Sequence, residues 1–141
     1  MKLDDIRVSV RPPDQEHIAQ TEESLRTHYF ADQRPWVVAY SGGKDSTLLL
    51  QLVYELLMDL GPTARKPVHV VASDTRVEAP NVEEYLADRL SRLAGHARAN
   101  GLPFHVHRVQ PTPEQSFWGN LIGKGYPSPT RWFRWCTTKM K

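Results

Sequence analysis

The stretch from Trp36 to Asp59 constrains the fold more than any other part of the chain. WVVAY, residues 36–40, is a short apolar run rich in β-formers, with Pro35 before it and Ser41-Gly42-Gly43 after it. A run of that length and composition between two breakers reads as a buried strand. From Asp45 to Asp59 the pattern turns helical, and Leu48, Leu49, Leu50, Leu52, Val53, Leu56 and Leu57 make it apolar nearly all round. Such a helix is expected to be sandwiched inside a core, and Gly61-Pro62 stops it. A buried strand, a glycine turn and a buried helix in direct succession open a βα unit.

The rest of the chain repeats that unit. VHVVA, residues 68–72, is a second buried strand, ending in Ser73-Asp74-Thr75. After Pro80 a helix runs to about Asn100, with Val82, Tyr85, Leu86, Leu90, Leu93, Ala94 and Ala97 on one face, and Asn100-Gly101 ends it. FHVHRV, residues 104–109, is a third strand. Strand, helix, strand, helix, strand predicts an α/β fold with a parallel sheet and right-handed crossovers. The expected architecture is a three-layer parallel sheet flanked by helices. Upstream, Asp14 to Asp32 reads as a helix with a stripe of Ile18, Leu25, His28 and Tyr29, preceded by a short strand IRVSV. Residues 1–34 thus read as an N-terminal helical extension, and 35–141 as the α/β domain, which becomes irregular from 111. A short helix is expected from Thr130. The sequence stops inside it without a cap, as a fragment of a longer protein would.

Composition narrows the class. At 141 residues the chain suits one domain. It is 40% hydrophobic with a mean hydropathy of −0.52, and no run approaches the ~18 apolar residues of a membrane span. MKLDDIRVSV lacks the apolar core of a secretory signal, and a single cysteine, Cys136, allows no internal disulfide. A reducing cytoplasm is the expected location. Charge is uneven: residues 103–141 hold six Lys/Arg against one Asp/Glu, net +5. Phe117, Trp118, Tyr126, Trp132, Phe133 and Trp135 lie in the same segment. A basic, aromatic stretch suits a phosphate-rich ligand or nucleic acid, while core aromatics under a solvated rim would look the same.

The chemistry concentrates in Ser41-Gly42-Gly43-Lys44-Asp45-Ser46. In a parallel α/β sheet this turn sits at the C-terminal edge, where ligands bind. Its glycines let the backbone come close to a ligand, and the following helix presents free N–H groups and a partial positive charge. Ser41 and Ser46 add hydroxyl donors and Lys44 a full charge. Asp45 would repel a bare phosphate, but it makes sense as a Mg²⁺ ligand. The loop is neither GxxxxGK[ST] nor GxGxxG.

This hexapeptide resembles SGGxDS, the pyrophosphate loop of the ATP pyrophosphatase (PP-loop) superfamily. SDTRVEAP and FWGNLIGKGYPSPTRWFRWCTTKMK resemble its phosphoadenylyl-sulfate reductase-like branch, and within it the DndC-type sulfurtransferases of bacterial DNA phosphorothioation. The resemblance runs from about Trp36 to Lys141. It implies cleavage of ATP between the α and β phosphates, with pyrophosphate held by the loop and AMP passed to an acceptor oxygen. In that family the acceptor is associated with DNA, whose non-bridging phosphate oxygen is replaced by sulfur. The implied partners are DNA, a cysteine desulfurase as sulfur donor, and other proteins of the phosphorothioation system. The implied cofactors are Mg²⁺ and a [4Fe–4S] cluster, with Cys136 as a ligand. Four thiolates make such a cluster and this sequence has one, so the others would come from elsewhere.

Further candidates follow from the residues themselves. Asp74 either binds ribose or adenine at the sheet edge or caps the next segment, and Glu78 is a weaker polar or metal contact. Lys124 sits between two glycines. Arg131 and Arg134 share a helix face and can grip phosphate bidentately, or pair with surface carboxylates. Cys136, near both arginines, is expected as a thiolate, although a lone cysteine is most often a small buried hydrophobe. Trp132 and Trp135 read as packing rather than base stacking. His105 and His107 alternate onto one face of the third strand and could bind a metal, but the sequence offers no third ligand. His69 reads as a strand residue of no special role, and His17, His28 and His96 as helix surface or partial core. Two rival readings are an adenylyl-sulfate or phosphoadenylyl-sulfate reductase and a non-catalytic nucleotide-binding subunit of a DNA-modification complex. A third, tRNA thiolation, typically goes with CxxC pairs, which are absent here.

Overall fold

Pro35 separates the first helix from the first strand, and every later element begins at a comparable break. The computed structural model describes residues 15–130. In chain order the elements are α1 (Gln15–Ala31), β1 (Trp36–Ala39), α2 (Lys44–Leu60), β2 (Val68–Ser73), α3 (Pro80–Ala99) and β3 (Phe104–Val109). Single 3₁₀ turns follow at Gly61–Thr63 and Pro113–Gln115, and a π-helical turn at Gly119–Gly123. The strands form one parallel sheet in the order β1-β2-β3. Trp36 pairs with Val68 and Val68 with Phe104, so the three strands start level. The α/β expectation holds, as do the strand and helix positions to within a residue or two. The expected strand at IRVSV, Asp14 at the start of the first helix, and the expected helix beyond Thr130 lie outside the described residues.

The core forms on one face of this sheet. Val38, Val68, Val70 and Ala72 point into it and meet Leu50, Val53, Leu56, Leu57 and Leu60 of α2 and Leu86, Leu90 and Ala97 of α3. Trp36, Phe104 and Val106 pack at its margin. A sheet whose order follows the chain, joined by right-handed crossovers, carries both crossover helices on the same side. This corrects the three-layer expectation: among the described residues the second face is uncovered. Val37 is 69% exposed there, and Ala39, His105 and His107 are exposed beside it. It also corrects the reading of β1 as buried on both sides, since its burial alternates with the pleat.

α2 is likewise not sandwiched. Leu48, Leu49 and Met58 are exposed, and only the stripe facing the sheet and α1 is buried. Packing against one layer needs one stripe, so the remaining leucines stay on the surface.

Tyr29 anchors α1. Its hydroxyl donates to the Lys66 carbonyl at 3.2 Å and accepts from the Lys66 N–H at 2.9 Å. Its ring meets Trp36 edge-on at 5.4 Å. The side chain of Lys66 is only 4% exposed. Its ammonium lies 3.2 Å from Asp32 Oδ1 and over the rings of Tyr29 and Trp36 at 5.1 and 5.5 Å. A buried ammonium is tolerated because a carboxylate and two π faces replace its hydration. His28 is on the helix surface, one of the two positions read for it, with its ring bonded to the Ser24 carbonyl one turn back.

Candidate functional site

The loop between β1 and α2 is built around two backbone features. Gly42 has φ +76, a left-handed conformation that strains any residue with a Cβ. Gly43 caps α2 with extended backbone and no side-chain hydrogen bond, so no side chain occupies the first N–H groups of the helix. Ser41 and Ser46 close the turn across its mouth. Their hydroxyls are 3.1 Å apart, the Ser41 N–H reaches Ser46 Oγ at 3.3 Å, and Ser46 Oγ donates to the Gly43 carbonyl at 3.1 Å. Lys44 Nζ and Asp45 Oδ1 stand 3.0 Å apart, both almost fully exposed. The pair is exposed enough to exchange partners at little cost.

The second wall is the segment after β2. Asp74 is buried, its side chain only 5% exposed. It accepts from the Arg76 N–H at 2.9 Å, from Arg108 at 2.7 Å and from Gln110 at 2.8 Å. The Arg76 N–H bond first, then the Gln110 and Arg108 side chains, hold its carboxyl below its ordinary 3.8 against the opposing effect of burial. Its bond from the Arg76 N–H makes a local turn, in which Arg76 takes φ 60, a left-handed conformation. Arg108 continues to Glu83 on α3 at 2.6 Å, so one guanidinium ties β3, the end of β2 and α3 together. Glu83 first, then Asp74, raise its pKa further.

Between the two walls lies an open cleft of about 360 Å³. Ala39, Val71, Val82 and Leu86 give it an apolar lining, and Ser41, Ser73 and Glu78 supply its polar groups. Glu78 is oriented by Thr75, whose hydroxyl donates to it at 3.0 Å. Val82 and Tyr85 on the first turns of α3 are exposed, whereas Leu86, Leu90 and Ala97 on the same stripe are buried. The apolar stripe read from the sequence therefore serves the cleft at its top and the core below. A hollow of about 230 Å³ between α1 and α2 is walled by Glu22, Glu23, Glu55 and Asp59 with Arg26, which suits no phosphate.

The structure thus brings Ser41 and the rest of the loop to the same sheet edge as Ser73, Asp74 and Glu78. It does not bring Lys124 to them by any strong contact. Lys124 donates to Asn120 at 3.0 Å within its own turn, and the two short turns at 113–123 pack on each other. Arg131, Arg134 and Cys136 lie outside the described residues, as do Trp132 and Trp135. Arg108, Gln110, Glu83, Tyr85 and Arg89 are additional polar and aromatic residues around the site. Tyr85 belongs to the apolar stripe read from the sequence, and Arg108 left a signal as a charge at a strand position whose alternation with Phe104 and Val106 points it inward.

His69 departs from expectation. It is the third histidine beside His105 and His107 on the uncovered face, stacked on His105 at 5.0 Å and bonded through Nδ1 to His107 Nε2 at 2.9 Å. The rings stack and pair rather than converge on a point. Among the described residues no three His, Cys, Asp or Glu side chains are arranged to hold a metal ion. No described helix is long and apolar enough to cross a membrane. No family model, no curated protein and no solved structure matches the chain.

Proposed function

We propose that this chain is a PP-loop ATP pyrophosphatase with a sulfurtransferase role in DNA phosphorothioate modification, of the DndC type. The observation that carries the nucleotide part is the glycine-capped start of α2. A left-handed Gly42, a helix N-terminus with no side-chain cap bond and two hydroxyls stand at the C-terminal edge of a parallel strand, beside a cleft with an apolar lining. That combination favours a polyphosphate on the loop and a nucleoside in the cleft.

In this reading the N–H groups of α2, with Ser41, Gly42, Gly43 and Ser46, hold the β and γ phosphates. Lys44 leaves Asp45 to neutralise charge on the departing pyrophosphate. Asp45, freed of Lys44, is the carboxylate that would hold Mg²⁺ together with the phosphates, and the ion supplies charge stabilisation there. The lining from Val71 to Leu86 receives the base, with Ser73 and Glu78 placed for ribose or base polar groups. Asp74 acts as a positioning residue, because its oxygens are engaged by Arg76, Arg108 and Gln110. The acceptor is a DNA phosphate oxygen, which adenylylation turns into a leaving group that sulfur then displaces. DNA, a cysteine desulfurase and further phosphorothioation proteins are the partners this requires, and a cytoplasmic setting follows from them. Lys124, Arg131 and Arg134 are the cations proposed for phosphate contacts in the basic segment.

The [4Fe–4S] cluster does not fit this sequence alone. Cys136 is its one cysteine, and four thiolates are needed. No step is routed through a cluster here. That same count favours a second reading, a nucleotide-binding subunit that works within a larger DNA-modification complex.

Pyrophosphate release from Mg·ATP, with and without DNA, tests the proposal. Wild-type protein is expected to form AMP and pyrophosphate, and Asp45→Ala to lose at least about a hundredfold of that rate. ATP binding without turnover in either protein would favour the subunit reading. No ATP binding at all would remove both.

A further inference from the structure

Charge balance at the loop leaves a deficit that a residue of α3 is placed to fill. Lys44 is matched by Asp45 at 3.0 Å, so the loop's own side chains sum to zero. Even with Mg²⁺ on Asp45, a triphosphate brought to it keeps negative charge that a cation from another element would offset. Gly42 faces α3: a Cβ there would stand 3.7 Å from Tyr85 Cε1 and 3.6 Å from Leu86 Cδ1. The guanidinium of Arg89 lies over the Tyr85 ring, 4.9 Å from its centroid. The Tyr85 ring is thus close to both the loop glycine and the Arg89 guanidinium.

That charge is uncommitted. On α3, Asp88 is engaged by Arg92 and Glu83 by Arg108. Arg89 pairs with no carboxylate among the described residues. A cation–π contact occupies no N–H of the guanidinium with a carboxylate, so its N–H edge can still grip a phosphate bidentately. Tyr85 in turn is exposed at the top of α3, away from the core that its stripe otherwise serves.

We infer that Tyr85 and Arg89 form a polyphosphate subsite beside the loop, with Tyr85 orienting Arg89 toward the phosphates that leave as pyrophosphate. The inference rests on the nucleotide reading above. It assigns specificity within it: Arg89 adds affinity for the di- and triphosphate portion to that of the loop, and adds none for the nucleoside monophosphate.

Calorimetric titrations with ATP, inorganic pyrophosphate and AMP test this on wild type, Arg89→Gln, Arg89→Lys, Tyr85→Leu and Ser46→Ala. Arg89→Gln is expected to weaken ATP and pyrophosphate about tenfold and AMP less than about twofold. Arg89→Lys should recover only part, lacking the planar fork, and Tyr85→Leu should fall between. Arg89 is on an exposed helix face, so the melting temperature of Arg89→Gln should match wild type and separate lost binding from lost folding. Wild-type affinity for pyrophosphate in Arg89→Gln, with Ser46→Ala weakened, would overturn the subsite and leave the loop reading standing. Wild type that binds neither ATP nor pyrophosphate would overturn both.

Discussion

Tyr29 shows how much a single side chain can carry in a small α/β chain. Its one hydroxyl satisfies both the N–H and the C=O of Lys66, and its ring shields the Lys66 ammonium. Desolvation raises its pKa, with the bond from the Lys66 backbone acting the other way, so it stays neutral through the physiological range. Tyr29→Phe keeps the ring and removes only the oxygen. The Lys66 N–H is then buried without an acceptor, at a cost of about 1–3 kcal/mol. Urea denaturation should show that loss as a lower midpoint with an unchanged slope. An unchanged midpoint would mean that water replaces the hydroxyl and that α1 is held by ring packing alone.

At the scale of elements, α2 links the core to the site. Its first turn presents N–H groups to the loop, and its middle turns fill the core, with Leu57 fully buried. Leu57→Ala removes buried methylenes from the centre of that contact and should cost about 2–5 kcal/mol. Because Leu57 lies more than three turns from Gly43, nucleotide affinity measured under native conditions should change little. Global unfolding would show the loss; a parallel loss of affinity would mean that α2 shifts as a rigid rod and carries the loop with it. The exposed Leu48 and Leu49 belong to the same lesson. An apolar helix identifies a buried stripe, but the number of layers around it decides how many of its leucines are covered.

For the molecule as a whole, Asp32, Asp74 and Glu114 are held below their ordinary values, and the first two tie tertiary contacts to acid stability. Asp74 is held low chiefly by the Arg76 N–H, and Asp32 chiefly by the Arg34 side chain and then by Lys66. A carboxyl whose folded pKa lies below its unfolded value contributes stability above the unfolded value, near 3.8 for both residues. That contribution is lost as pH falls through the folded value. Stability should therefore be flat from neutral pH down to about 5 and drop below about 4 as these groups protonate. Asp74→Asn keeps an acceptor for Arg76 but not the charge facing Arg108. Its deficit against wild type, followed by thermal melts at stepped pH, should be largest near neutrality and narrow below about pH 4. A deficit constant across that range would mean that Asp74 acts through shape and hydrogen bonding rather than through its charge.

The order of strands and helices, the break at each glycine or proline and the position of the loop were legible in the sequence. All of these are local: alternation over a few strand residues, repetition along one helix face, and backbone freedom at Gly42. Which carboxylate would be free was not legible, because Asp74 meets Arg108 across 34 residues. Nor was the histidine cluster, since His69 and His107 are 38 residues apart and meet only once β2 and β3 take their register. The burial of Lys66 depends in the same way on Tyr29, 37 residues earlier. Local periodicity fixes which elements form. Strand register and the side on which the crossovers pass decide which side chains meet, and only the tertiary structure holds those two quantities.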